Sequence, residues 1–148
     1  MRRLVSMVAG LFFVLVGPAF AIETQVDFTV QLMGPNNQAQ QDCDHVNDAD
    51  PKNPFCDKLV PLTLGRLAAA ALDQVEPNLK PADIVERGSL ARRIRDSLQV
   101  LSATHGKLSL DQRDVDLIKD QLAKMREAPS VIDQAYDLLT PPVAVPAK

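Results

Sequence analysis

The sequence predicts a small α+β domain, mostly α-helical, with one N-terminal strand or minimal hairpin followed by about four short helices. One stretch near the start alternates apolar and polar residues with a period of two, the mark of a half-buried strand. From Leu64 on, every apolar pattern recurs at helical spacing, with capping residues and prolines between the segments. The chain has no Trp and one Tyr, so the core is left to Leu, Ile, Val and Ala. Small aliphatic side chains suit helices that approach closely.

Residues 1–21 read as a cleavable secretory signal peptide. Arg2 and Arg3 precede the uncharged run Leu4–Val16, Gly17-Pro18 breaks it, and Ala19 and Ala21 place small residues for the peptidase. The run is shorter than the roughly 20 apolar residues of a spanning helix, which argues against a stable membrane anchor. Cleavage after Ala21 leaves Ile22 at the mature N-terminus and a periplasmic or secreted protein. Every acidic residue lies beyond the leader, so the mature chain is more acidic than the −3 of the whole. That balance gives no footprint for nucleic acid. Residues 22–140 have the length of one domain, and the proline-rich tail 141–148 is expected to be disordered.

The predicted strand covers Val26–Leu32, with Val26, Phe28, Val30 and Leu32 on one side. Residues 33–57 are polar and aperiodic and read as a long loop. Leu59–Leu62 offers a second, edge strand, because Pro61 cannot donate to a ladder. Thr63 caps a first helix over Leu64–Val75 that Pro77 stops. A second helix runs from Ala82 to Ala103 with Ile84, Leu90, Ala91, Ile94, Leu98 and Leu101 on its apolar face, and Gly88-Ser89 offers a break within it. Ser109 opens a capping box for a third helix through Arg126, with Val115, Ile118, Leu122 and Met125 as its stripe. Ser130 caps a fourth, Val131–Leu139, closed by Pro141 and Pro142.

Cys43 and Cys56 are the only cysteines. In an exported chain they are expected to form a disulfide that staples the 33–57 loop. The same loop carries Asp42, Asp44, His45, Asp48, Asp50 and Asp57. It reads as a solvated acidic turn, having Lys52 and no glycine where a calcium loop needs acidic alternation and a sharp turn. A calcium- or other metal-binding module using Asp42, Asp44, Asp48 and Asp50 is the alternative reading. Arg87, Arg92, Arg93 and Arg95 read as the solvated rim of the second helix, Asp120 and Lys124 as an i,i+4 pair, and His105 as a helix C-cap. No nucleophile has an adjacent base and no glycine-rich phosphate loop is present. The expected function is therefore non-enzymatic binding of another protein, without a cofactor, and a small hydrolase is a third reading.

Between residues 24 and 140 the chain resembles small uncharacterised proteins encoded in tailed-phage and prophage genomes. The likeness lies in Val26-Asp27-Phe28, Leu62-Thr63-Leu64-Gly65, Leu108-Ser109-Leu110 before Asp114–Lys119, and Ala135-Tyr136-Asp137-Leu138-Leu139. The leader and the Cys43–Cys56 insertion depart from that pattern. The resemblance implies a phage-related origin and this order of elements, and no site residue.

Overall fold

A computed structural model describes residues 23–47, 55–99 and 104–140. The expected leader 1–21 and tail 141–148 lie outside these residues. So do Asp48, Asp50 and positions 100–103. The order is β1 (Thr24–Asp27), β2 (Gln41–Asn47), β3 (Phe55–Pro61), α1 (Leu64–Leu72), α2 (Pro81–Leu98), β4 (Lys107–Leu110), α3 (Gln112–Leu122) and α4 (Pro129–Leu138). The domain is α+β and helix-rich, as expected. Its strands form two separate antiparallel pairs, β1 with β4 and β2 with β3.

β1 ends earlier than the alternation suggests. The Asp27 carboxylate accepts from the Thr29 amide at 2.9 Å and from its hydroxyl at 2.6 Å, a local turn that takes the backbone out of the ladder. The chain then bridges to the approach of α1: the Leu32 amide donates to the Leu62 carbonyl, and the Leu64 amide to that of Val30. Val26, Phe28 and Leu32 are buried and Val30 only partly so, so most of the period of two survives although the ladder changes partner. The β1 partner is β4, with Val26 opposite Leu108 and Thr24 opposite Leu110. Leu59–Leu62 does not return to β1; β3 pairs with β2. Residues 33–57 are accordingly not one loop. A turn at 33–39 is clamped by Gln134 of α4, whose Oε1 accepts from the Met33 amide at 3.0 Å while its Nε2 donates to the Met33 carbonyl at 2.7 Å.

Thr63 caps α1 as expected, its hydroxyl accepting from the Arg66 amide. α1 stops at Leu72, not Val75, because the ring of Pro77 would meet the carbonyl of residue 73 in a continuing helix. Val75 is consequently 94% exposed. α2 starts with Pro81 at its first turn, passes through Gly88-Ser89 unbroken and ends at Leu98. Its apolar face is Leu90, Ala91 and Ile94, while Ile84 is exposed. His105 is not a helix cap. It sits at φ 47° beside Gly106 at φ 81°, in the turn that opens β4. The Gly106 amide donates to the Ser97 carbonyl and its carbonyl accepts from Phe28. A Cβ on Gly106 would run into the Thr29 methyl.

Ser109 and Ser130 are corrections too. Ser109 lies in β4, facing out between Leu108 and Leu110, and the cap of α3 is Asp111, whose carboxylate accepts from the Asp114 amide at 2.8 Å. Ser130 is inside α4, which Pro129 opens after Ala128. The core gathers Phe28 and Leu32 around α1 (Leu64, Leu67, Ala68, Ala71, Leu72), with α2, α3 and α4 adding Ile94, Ile118 and Val131, and Leu139 following just after α4. The alanines of α1 let α2 and α3 pack on it from two sides.

Candidate functional site

The β2–β3 hairpin stands off this core. None of the described side chains at 41–44 or 56–61 is buried, and Leu59 is 61% exposed. Cys43 and Cys56 are joined in a disulfide with Cα atoms 5.7 Å apart, inside the range a bridge requires. They do not face each other in the ladder: Cys43 pairs with Leu59 and Cys56 with Val46. Register shifts on both sides of His45 bend the strands, and that bend accompanies the meeting of the two cysteines.

The base of the hairpin is held to the body by charge. Arg66, in the first turn of α1, donates from Nε to Asp42 at 3.1 Å and from Nη1 to Asp44 at 3.0 Å. Lys58 of β3 donates to the other Asp44 oxygen at 2.7 Å. Residues two apart on a strand share a side, which lets one guanidinium reach both carboxylates. Asp44 is held below its ordinary pKa by its hydrogen bonds to Lys58 and then Arg66. The two Asp candidates for metal binding are thus engaged by cations, and among the described residues no group of three or more His, Cys, Asp or Glu is arranged to hold a metal. Asp48 and Asp50, the other two candidates, are outside those residues.

Arg66 is the residue sequence reasoning missed. Its signal was a lone arginine at the start of an alanine-rich helix and two aspartates at strand spacing. The arginines of α2 separate in role. Arg93 pairs with Asp114 at 2.9 Å and Arg95 with Asp73, both on the surface as expected of a rim. Arg87 is only 8% exposed and donates to Glu76 at 2.9 Å. Lys124 also goes to Glu76, at 2.9 Å, linking α3 to the α1–α2 connection. Among the described residues, no helix is long and apolar enough to cross a membrane. Comparison with protein-family models, with curated proteins and with solved structures yields no match to this chain.

Proposed function

We propose that this chain is an exported, non-enzymatic domain that binds another protein through its stapled β2–β3 hairpin. The observation that carries the reading is a segment held by a disulfide and three charge-assisted hydrogen bonds that buries none of its described side chains. Ordering backbone costs about 1 kcal/mol or more per residue, and among the described side chains of the hairpin no core burial offsets it. An ordered surface of this kind lowers the entropy cost of meeting a partner. The disulfide is compatible with an oxidising compartment, and the Arg-apolar-Ala-x-Ala order of residues 1–21 supports export to it. The resemblance to phage-encoded proteins supports an envelope setting, where blocking superinfection or modulating lysis are roles by analogy.

The test is site-specific photo-crosslinking in the envelope, with the reactive residue at Leu59 or, as control, at exposed Asp116 of α3. One discrete adduct is expected from position 59 and none from 116, and it should vanish in the Cys43→Ser, Cys56→Ser double variant. Adducts from 116 alone would place the contact on the helices and overturn the reading. Mass spectrometry should find Ile22 at the N-terminus of the exported protein; intact Met1 in the cytosol would remove the export half.

A further inference from the structure

Where the 73–80 connection passes from α1 to α2, an open cavity of about 290 Å³ is lined by Leu72, Val75, Leu79 and Ile84, with two carboxylates, Asp73 and Glu76, against one guanidinium, Arg87. Val75 at 94%, Ile84 at 55% and Val85 at 71% exposure leave three branched aliphatic side chains in water around one short connection, where covering them would be favourable. Asp73 meets Arg95 through Oδ2, and Glu76 takes both Arg87 and Lys124 on Oε1. Oδ1 of the first and Oε2 of the second meet no cation among the described residues. α1 also ends here with no basic residue in its last turn, so the negative end of its dipole adds to the carboxylates.

Beside the cavity runs one flank of α2. Ile84, Gly88 and Arg92 follow one another at four-residue spacing and Val85 is three before Gly88, so all four lie on one side of the helix. Glycine is a poor helix former, and Gly88 has no local use within the chain. Its φ is not positive, and a Cβ built on it meets nothing within 4 Å. What the missing side chain permits is the close approach of another backbone from outside. Arg92 is exposed and, unlike Arg87, Arg93 and Arg95, makes no ion pair or hydrogen bond among the described residues. An acidic recess and an unpaired cation thus share one surface, on either side of a glycine.

We infer that this flank docks a second copy of the chain, the two α2 helices crossing antiparallel at Gly88 about a two-fold axis. In such a contact the same patch serves both copies, and every pair of residues forms twice. An antiparallel crossing sets positions equally far from Gly88 side by side, so Arg92 of one copy lies beside the partner's Ile84, about 6 Å along the axis from the crossing point. Its stem covers the apolar rim of the facing cavity, and its guanidinium reaches the free oxygens of Asp73 and Glu76. Any other occupant would have to bring a cation one helical turn from a small residue, and this chain already carries that arrangement beside the recess that fits it. The surface is separate from the hairpin and does not depend on its role.

The test is self-association of the purified, disulfide-bonded protein. A patch this small belongs with the weak interfaces below about 1,200 Å², so sedimentation equilibrium should span about 10 μM to about 1 mM, where a reversible monomer–dimer equilibrium is expected. On dilution the NMR signals of the Val75, Ile84 and Val85 methyls should shift, and those of Leu59 should not. Gly88→Leu should raise the dissociation constant about tenfold or more while keeping or raising the melting temperature, because leucine is the better helix former. Arg92→Glu, on the exposed side of α2, should weaken the dimer by a similar factor, since it sets like charges against each other across the two-fold. A chain that stays monomeric at the highest concentration would overturn the assignment. So would a dimer undiminished in a folded Gly88→Leu variant or in Arg92→Glu, or dilution shifts confined to the hairpin.

Discussion

Asp111 and Ser109 are two residues apart, and only one of them can be where the helix begins. An N-cap accepts from an amide two or three positions on, and Asp111 does so while its charge also favours the positive end of the helix. Asp111→Ala is expected to lower unfolding free energy by about 1 kcal/mol in a denaturant titration, whereas Ser109→Ala, on the exposed side of β4, should stay within about 0.5 kcal/mol. The reverse ranking would restore Ser109 as the cap. Asp44 is the residue whose titration reports on the hairpin's anchor. Its folded pKa is depressed below the ordinary 3.8 by Lys58 and Arg66. Its contribution is therefore fully present above that value and is lost as pH falls through the lower, folded one. Arg66→Gln should move the Asp44 midpoint back up in a carboxylate NMR titration. An unmoved midpoint would mean that Arg66 does not hold the hairpin base.

At the scale of elements, what could be read from sequence was what is encoded locally. The Thr63 cap, the alternating Val26, Phe28 and Leu32, and the stripe of Val115, Ile118 and Leu122 depend on neighbours within a few residues, and the structure keeps all of them. β4 was hidden because Leu108-Ser109-Leu110 is only three residues of alternation, and its partner lies at the other end of the domain. β2 was hidden because the sequence Gln41–Asn47 carries no apolar period; backbone pairing and the disulfide define it instead. Ser130 misled because Pro129, one residue earlier, already sets the first helical turn. The turn before β4 gives a prediction of its own. Gly106→Ala forces a Cβ into Thr29 at a left-handed φ, and at about 1–3 kcal/mol for such strain the variant should melt several degrees lower. A melting temperature equal to the parent would show that the turn can relax.

For the molecule as a whole, half of the candidate site was legible. The Cys43–Cys56 pair could be read from the cysteine count and the expectation of export. Its anchor could not, since Asp42 and Arg66 are brought together only when the hairpin folds back on α1. Because no described hairpin side chain is buried, reduction should cost at most about the 3 kcal/mol of loop closure and leave the helices in place. Far-ultraviolet circular dichroism should keep its helical signal under reductant; loss of that signal would show that the staple holds the core as well. The pairing of β1 with β4 has a different consequence, one of timing. Thr24 meets Leu110 more than eighty positions later, so a chain emerging N-terminus first has no partner for its first strand until nearly the whole domain has appeared. Through that interval Val26 lacks the Leu108 that faces it across the ladder. Contacts so distant in sequence close late and slowly, so the β1–β4 pair is a late step in reaching the folded state.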